Sequence, residues 1–481
     1  MVKALRCSMK TVWIGFVLST LVSASAVEAQ FRQDGRRPPA GGPPVEAIEA
    51  CDDQRPGSAC AFRAPHGAVE GRCRNVPEGL VCVPDRRGLG PPPAGARQPQ
   101  ADEPRRRVEP MVIEVEPEQP SPSRPADKAL AARAKVPDTG QFGCFNNRQR
   151  VACKDTQQRF RGQDGHYSTR LAYRDNRDGT VSDLVTGLRW QQAHNAQRLS
   201  YLDAQSACSR LELAGSGDWR LPSITELFSL SHWRHPEGRQ RYIDERFFEF
   251  AEPGPEVLRN DPYRDTHNVS MMGQTWSSTA YVGEIALNPD TTHYFFFNFL
   301  DGRIKAAPGQ GHTRLFYRCV SGEPWGDNLL QDNRNGTVTD AAMELMWQAS
   351  DDGQPRDWSQ ALAYCEGLEL AGYRDWRLPN IKELQTLVDY RYSEPAIDPK
   401  RLRQQDKAGW FWSSTTHGEN PAMASYICFG PCTSVDGEDV HGAGAQRSDP
   451  KTGNPARWRA RGGQRDETRI FNYARCVRDV D

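Results

Sequence analysis

The sequence predicts an α+β fold with two tandem domains, each of two helices and an antiparallel sheet. A small disulfide-rich module and a disordered linker precede them. Three observations predict this arrangement. The string Asp-Trp-Arg-Leu-Pro at residues 218–222 recurs at 375–379, a shift of 157 residues. The same shift maps Cys208 onto Cys365 and Cys319 onto Cys476. Removal of Cys7 with a leader leaves twelve of thirteen cysteines, and an even number in an exported chain favours disulfides.

Residues 1–29 predict a secretory signal peptide. Lys3 and Arg6 give a positive start, an apolar run follows, and Ala29 suits cleavage. No later stretch is long and apolar enough to predict an integral membrane span. The sequence therefore predicts an exported protein that is periplasmic, secreted or on the cell surface, without choosing among these.

The composition and motifs favour binding over catalysis. A net charge of −1 argues against bulk electrostatic binding of nucleic acid. No Ser-His-Asp order is duplicated, and no zinc-protease or P-loop motif occurs. The sequence therefore predicts no catalytic residue, no cofactor and no metal site, and it does not set the oligomeric state.

Residues 45–84 form the predicted cysteine-rich module. So short a segment buries little core, which favours two disulfides. The four cysteines allow three connectivities, and their spacing disfavours zinc. Residues 85–136 are rich in proline and predict a disordered, extended linker. The four cysteines are Cys51, Cys60, Cys73 and Cys82.

The two repeated domains are predicted at residues 137–321 and 322–481. The first begins with a lead-in in which Cys144 and Cys153 lie nine residues apart and predict a local disulfide. Asp178-Gly179 and Asn335-Gly336 predict hairpin turns, and missing ligand positions argue against a calcium loop there. The sequence thus predicts that each repeat opens on a β-hairpin.

Capping patterns place the helices of each domain. Ser223 with Glu226, and Asn380 with Glu383, each fit a capping box at the start of a second helix. In the first helix, Leu202, Cys208 and Leu211 are predicted to share an inward face. The duplicated tryptophans are interpreted as core, and residues 294–299 predict a buried central strand.

Symmetry between the copies suggests how their cysteines pair. Each copy has one cysteine on its first helix and one on its last strand, which predicts the bridges Cys208–Cys319 and Cys365–Cys476. Cys428 and Cys432 remain, and a short loop staple between them is the favoured interpretation over a reactive redox pair.

The copies differ between these anchors, and loops that differ are where specificity is expected. Residues 232–273 of the first copy and 416–470 of the second are predicted to be variable loops. His232 and His235, in the first of these, are interpreted as exposed loop residues and not as metal ligands.

Two basic segments are the candidate polyanion-binding surface. Residues 144–177 hold eight Lys or Arg and three Asp, and residues 447–478 hold nine Lys or Arg and three acidic residues. Arg suits bidentate contact with sulfate or carboxylate groups, although a solvated surface is the alternative interpretation. The residues singled out are Arg148, Arg150, Arg159 and Arg161 in the first segment and Arg457, Arg459, Arg461 and Arg465 in the second.

The order of motifs resembles a known family. Asp-Asn-x-[Asp/Asn]-Gly-Thr-Val-[Ser/Thr]-Asp is followed by Gly-Leu-x-Trp-Gln, Asp-Trp-Arg-Leu-Pro-x-Ile-x-Glu-Leu, Trp-Ser-Ser-Thr and Arg-Cys-Val. Over about 340 of 481 residues, this order is similar to the C-terminal domain family of the Legionella collagen-like protein. The second copy departs at Met343-Glu344-Leu345, where the first has Thr186-Gly187-Leu188.

The resemblance implies a C-type lectin-like fold for each domain and adhesion to sulfated glycans. Neither copy has the Glu-Pro-Asn or Gln-Pro-Asp string of calcium-dependent sugar sites. The leading hypothesis is an exported, non-catalytic adhesion protein that binds a surface glycan, or an envelope or host protein, through its variable loops. The alternatives are a cysteine-dependent oxidase or modifying enzyme related to formylglycine-generating enzymes, and a structural envelope protein without a ligand.

Overall fold

The structure is a computed structural model, and it describes most of residues 135–480 and part of the N-terminal module. The described residues are 47, 50–51, 55–64, 67–76, 79–84, 135–169, 171–194, 197–234, 241–251, 272–454, 457 and 464–480. The predicted signal peptide and nearly all of the predicted linker lie outside them. The chain divides into two compact units, before and after residue 107.

The first unit is a small antiparallel sheet held by two disulfides. Its strands are β1 (Ala59–Ala64), β2 (Gly67–Val76) and β3 (Gly79–Pro84), in that order. Of the three possible connectivities, the structure has Cys51–Cys73 and Cys60–Cys82. The cysteines themselves make up most of its small buried cluster, as expected where a core is too small to hold the fold alone.

The second unit starts with the lead-in, residues 137–169. It carries a two-stranded hairpin, β4 (Cys144–Phe145) and β5 (Arg150–Val151), closed by the predicted Cys144–Cys153 disulfide. Three 3-10 helices follow, at Cys153–Asp155, Gln158–Phe160 and Asp164–His166.

Copy one, residues 173–321, has two small sheets and two helices. Its elements are β6 (Tyr173–Asp175), β7 (Thr180–Asp183), β8 (Arg189–Gln191), α1 (Tyr201–Ser209), α2 (Ile224–Ser229), β9 (Gln274–Ala280), β10 (His293–Asn298), β11 (Arg303–Pro308) and β12 (Val320–Ser321). One sheet has the order β12-β8-β7-β6 and the other β11-β10-β9, all antiparallel.

Copy two, residues 330–479, repeats this plan after a connector at 322–329. Its sheets have the orders β13-β14-β15-β19 and β16-β17-β18. Its elements are β13 (Leu330–Asp332), β14 (Thr337–Asp340), β15 (Leu345–Gln348), α3 (Trp358–Glu366), α4 (Ile381–Thr386), β16 (Trp410–Thr416), β17 (Met423–Cys428), β18 (Gln446–Pro450) and β19 (Val477–Asp479).

The disulfides and helix caps that the repeat predicts are both present in the structure. Cys208–Cys319 and Cys365–Cys476 are joined, each with Cα atoms 5.4 Å apart. Ser223 and Asn380 begin α2 and α4 with the predicted capping boxes. The tryptophans of the duplicated motifs are buried, and β10 is the central strand of its sheet, as predicted.

Two expectations about copy interiors are wrong. Leu202 is 64% exposed and does not lie on the buried face of α1, which is formed by Tyr201, Ala204 and Cys208; Cys208 therefore lies inward as predicted. Residues 416–470 are not simply a loop, because they contain β17 and β18, which are buried throughout. The β17 string Met-Ala-Ser-Tyr-Ile-Cys has Ser425 where β10 has Phe295, and this serine interrupts its apolar run.

The two copies pack against each other through one continuous core. Phe295 of copy one meets Tyr390 of copy two edge-on, with ring centroids 4.9 Å apart. Tyr281 donates a 2.6 Å hydrogen bond to Asp439, and helices α2 and α4 are joined by Gln385 donating to Thr225. No helix in the described residues is long and apolar enough to cross a membrane.

Candidate functional site

An ion pair between an arginine and a buried glutamate marks the same place in each copy. In copy one, Arg220 of the Asp-Trp-Arg-Leu-Pro motif reaches Glu226 on α2 with both terminal nitrogens, at 2.6 and 2.5 Å. Glu226 also accepts the backbone N–H of Ser223, which is its capping-box bond. The motif and the start of the helix are therefore linked, since one carboxylate accepts hydrogen bonds both from the arginine and from the first backbone N–H of the helix cap.

Copy two repeats the pair and adds a second acid. Arg377 donates to Glu383 at 2.7 and 2.8 Å, and to Asp479 at 2.7 Å. In copy one the position of Asp479 is Gly322, whose backbone oxygen accepts a longer 3.4 Å bond from Arg220. Arg377 thus faces two carboxylates where Arg220 faces one.

The lead-in covers the pair in copy two. The ring of Tyr167 lies over Arg377, with its centroid 5.4 Å from the guanidinium carbon. The Tyr167 hydroxyl donates a 2.7 Å hydrogen bond to Glu366 at the end of α3. Burial and this hydrogen bond raise the pKa of the Tyr167 hydroxyl. The cover reduces the exposure of the Arg377 side chain to 10%.

Close backbone approach allows the lead-in to lie there. Gly162 has φ +77°, and a Cβ at this position would come within 2.6 Å of the Glu366 side chain. Gly140 has φ +75°, and a Cβ there would meet the His232 ring at 2.1 Å. Both positions therefore require glycine.

A buried polar cluster binds the lead-in to both copies, through Asp138, Thr139 and Asp164. Asp164 accepts hydrogen bonds from Thr139 at 2.8 Å and from Thr415 at 2.6 Å. The Lys382 ammonium donates to the backbone oxygens of Asp138 and Ser229, both at 2.7 Å. These bonds join the lead-in, copy one and copy two in a single network.

The cluster shifts the titration of its members. Burial, and next the charge of Asp138, raise the pKa of Asp164 to about 8. Burial lowers the pKa of Lys382 to about 8, against the opposing attraction of Asp138, Asp183 and Asp164. A cation among buried carboxyl groups is the expected compensation for their lost hydration.

In copy one the matching place is an open groove of about 490 Å³. Gln205 and Ser209 on α1 line it, together with the Arg220–Glu226 pair and Trp325 of the connector. The Arg220 side chain is 33% exposed, three times the fraction of its counterpart.

The two predicted basic segments differ in whether their cations form ion pairs. Arg148, Arg150, Arg159 and Arg161, together with Lys154, are all exposed on the lead-in. Among the described residues, none of these five has an ion-pair partner. Beside them lies a groove of about 290 Å³, bordered by Arg150 and by Phe142, whose side chain is 49% exposed.

The second basic segment is largely neutralised from within. Arg465 is exposed but pairs with Asp436 at 2.8 Å, and Arg457 is exposed and has a partner of its own. Arg459 and Arg461 lie outside the described residues. Other arginines of this segment pair internally, namely Arg447 with Asp466, Arg469 with Glu467 and Arg478 with Asp375.

The remaining sequence candidates are buried. Cys428 and Cys432 form a disulfide, and both are at most 1% exposed. His232 is 6% exposed, so its interpretation as an exposed loop residue is wrong; it packs on Gly140 of the lead-in. Burial lowers the pKa of His232 to about 4, and His235 lies outside the described residues.

Two comparisons with known proteins found nothing, and one found a family. The profile of the Lcl C-terminal domain matches residues 179–321 and 336–447, together more than half of the chain. No curated protein and no solved structure matches significantly. The matched segments cover most of copy one and about three quarters of copy two, and they leave the lead-in outside.

Proposed function

We propose that this chain, which belongs to the Lcl C-terminal domain family, is an exported, non-catalytic binding protein that attaches to an anionic glycan. The observation that carries the proposal is the basic segment, defined here as residues 144–161, whose five exposed cations have no ion-pair partner within the described part of the chain. Membership of the family agrees with binding at a surface and does not by itself specify a glycan.

The chemistry of the basic segment suits sulfate or carboxylate groups. A guanidinium can donate two parallel hydrogen bonds to such a group, and four of the five cations are arginines. The Cys144–Cys153 disulfide holds Arg148 and Arg150 in a short closed loop. Pre-ordering of the cations lowers the entropy lost when they bind a polymer.

The groove beside Arg150 adds a place for a sugar ring. The exposed ring of Phe142 offers an apolar face next to a guanidinium. An anionic sugar has an apolar C–H face and a charged substituent, so it complements both groups. The proposal therefore favours a polysaccharide over a globular protein as the ligand.

The state of the cysteine pair supports a non-catalytic role. A cysteine nucleophile must be an accessible thiolate, whereas Cys428 and Cys432 are buried and bonded to each other. The enzyme hypothesis requires this pair to be reduced and reachable.

The proposal includes the C-type lectin-like fold for each copy. It is supported by the bridge from α1 to the segment that leads into β12, and by the same bridge in copy two. An experimental structure of either copy tests this part.

Binding of the full exported chain to immobilised heparin, at several salt concentrations, tests the function. The variant is Arg148→Gln/Arg150→Gln/Lys154→Gln, and we expect a loss on the order of tenfold or more with a shallower salt dependence. The matched control, Arg334→Gln/Lys400→Gln/Lys407→Gln, removes three exposed cations elsewhere and is expected to bind as the parent does. Equal losses in both triple variants would show non-specific attraction and would overturn the proposal.

A further inference from the structure

The charges that line the open groove of copy one leave one carboxylate without a partner. Arg220 donates both of its terminal nitrogens to Glu226, so this pair is neutral as a whole. Asp327, on the connector, is exposed, and its side chain makes no ion pair or hydrogen bond within the described residues. With one arginine and two acids the lining has a net charge of −1, which disfavours a sulfated or carboxylated ligand.

Trp325 is held in place beside the Arg220–Glu226 pair. Its backbone N–H donates a 3.1 Å hydrogen bond to Glu226. The next residue, Gly326, has φ +107°, and a Cβ there would lie 2.5 Å from the Thr225 side chain, so the connector lies directly on α2. The Trp325 side chain packs in part against the core and also borders the groove. An aromatic group that is ordered before binding loses little entropy when a ligand covers it.

Three polar groups of the lining are open to a ligand. In the part of the chain that the structure describes, the Gln205 amide, the Asp327 carboxylate and the indole N–H of Trp325 make no hydrogen bond. Together they offer both donors and acceptors, which suit a ligand with several hydroxyl groups. Leu221 and Pro324 add apolar surface to the same groove.

We propose that the groove of copy one binds a neutral saccharide, with one sugar ring against the indole of Trp325 and its hydroxyl groups bonded to Gln205 and Asp327. A pyranose ring has an apolar C–H face and polar edges, so it complements an indole that lies near an amide and a carboxylate. The groove volume of about 490 Å³ falls in the range of about 300–1,000 Å³ typical of ligand pockets.

This site is distinct from the basic segment and has the opposite charge preference, so it goes beyond the anionic glycan proposed above. Copy two does not repeat it. Leu362 stands there in place of Gln205, and Tyr167 of the lead-in covers Arg377. We therefore expect one neutral saccharide site per chain.

Nuclear magnetic resonance of the full chain with ¹⁵N-labelled tryptophan tests the proposal. The indole signal that is absent from Trp325→Phe identifies Trp325 in the parent. The probes are three neutral trisaccharides, namely cellotriose, maltotriose and triacetylchitotriose, and one anionic trisaccharide, trigalacturonic acid.

We expect at least one neutral trisaccharide to shift the Trp325 signal with a dissociation constant of about 10 mM or tighter. Trigalacturonic acid should bind at least about tenfold more weakly, because the lining repels its carboxylates. Absence of a shift with all three neutral probes, or equal binding of trigalacturonic acid, overturns the proposal.

Substitutions in the lining locate the binding. Gln205→Ala and Asp327→Ala each remove one hydrogen-bonding group, and we expect each to weaken binding about three- to tenfold. The matched control, Gln354→Ala, changes an exposed glutamine of copy two and should bind as the parent does. Ser209→Trp fills the groove from an exposed position and should abolish binding, with Gln205→Trp as the second blocking variant if it does not fold. Binding that persists in a folded blocking variant overturns the proposal.

Heparin binding separates this proposal from the proposed function. No residue of the basic segment borders the open groove, so the blocking variants should keep full heparin binding. The triple variant Arg148→Gln/Arg150→Gln/Lys154→Gln should in turn keep the shift that the neutral trisaccharide causes. Loss of that shift in the triple variant would place the saccharide on the basic segment and overturn the proposal for the groove.

Discussion

Copy one and copy two share their helices, their strand order and their buried arginine–glutamate pair, but only copy two has the lead-in folded over that pair. The arginine exposure of 33% in copy one and 10% in copy two measures the difference. The lead-in directly precedes copy one in the sequence, but its Tyr167 packs against copy two, which lies farther along the chain.

This difference teaches how a duplicated fold acquires two roles. Residues that the two copies share, such as Glu226 and Glu383, make the same bonds in both. A few surface positions, such as Ser209 against Glu366, decide whether the groove holds part of the chain itself or stays open. Copy two packs against the lead-in at this place, and copy one has a groove there.

The largest expected effect comes from replacing Lys382 with the residue that copy one has at that place. Thr225 is the equivalent of Lys382, which is 2% exposed and bonded to both the lead-in and copy one. In Lys382→Thr, two carbonyls lose their donor and the neighbouring carboxyl groups lose their cation. We expect a loss of about 3 kcal/mol in the free energy of unfolding.

Urea unfolding measures this loss, and Lys400→Thr, at an exposed lysine, is the matched control with an expected change below about 0.5 kcal/mol. Proteolysis should cut the lead-in of Lys382→Thr earlier than that of the control, since its tether is broken. A stability equal to the parent would show that the lysine does not hold the copies together.

An intermediate effect is expected from pH, through the same cluster. The pKa of Asp164 is about 8 when folded and has its usual value of 3.8 when unfolded. Between these values the folded state holds the extra proton, so stability falls as pH rises from about 4 to 8. The pKa of Lys382 is lowered to about 8 from 10.5, so its contribution rises from about pH 8 to 10.5.

These two groups together contribute a minimum of stability near pH 8, whereas buried histidines such as His232, whose pKa burial lowers to about 4, contribute a rise in stability up to about pH 6.5. A single group changes the free energy of unfolding by at most about 1.4 kcal/mol per pH unit. Asp164→Asn should make the acid limb shallower and leave the alkaline limb, while Asp138 and Asp183, whose pKa values burial also raises, keep part of it. Denaturant midpoints of the parent and of Asp164→Asn at pH 5, 6.5, 8 and 9.5 isolate the contribution of Asp164; a parent that loses no stability relative to the variant between pH 5 and pH 8 would contradict the assignment.

Much of the fold could be predicted because the sequence contains the same domain twice. The shift of 157 residues aligns the cysteines, so Cys208–Cys319 and Cys365–Cys476 follow from symmetry. Capping boxes are local, and a few adjacent residues determine them. The exposure of Leu202 was not predictable, because α1 is short and its apolar residues recur too weakly to determine which side of the helix each leucine occupies.

The site was harder to predict because its contacts are distant in sequence. Tyr167 lies 199 residues from Glu366 and 210 from Arg377, and nothing near it marks an aromatic cover. One signal was present, namely the unequal residues at duplicated positions. Where copy two has Glu366 and Asp479, copy one has Ser209 and Gly322, and such differences on a shared scaffold indicate where the two surfaces diverge.

The smallest expected effect concerns that cover itself. Glu366→Ser gives copy two the residue of copy one and removes the acceptor of the Tyr167 hydroxyl. Because Tyr167 is 47% exposed, water replaces part of the lost bond, and we expect a loss of about 0.5–1 kcal/mol. The reverse change, Ser209→Glu, meets no tyrosine and should change stability by less.

A double-mutant cycle with Tyr167→Phe separates the hydrogen bond from other effects of these changes. Removal of either partner already breaks the bond, so the double variant should lose less than the sum of the two single losses. The coupling between Glu366→Ser and Tyr167→Phe should be about 0.5 kcal/mol, whereas Ser209→Glu and Tyr167→Phe should be additive. Additivity in both pairs would show that the lead-in is held by the ring of Tyr167 and by the buried cluster around Asp164 alone. The difference between the copies would then lie in which groove has room for an aromatic ring, and not in which one has an acid to receive its hydroxyl.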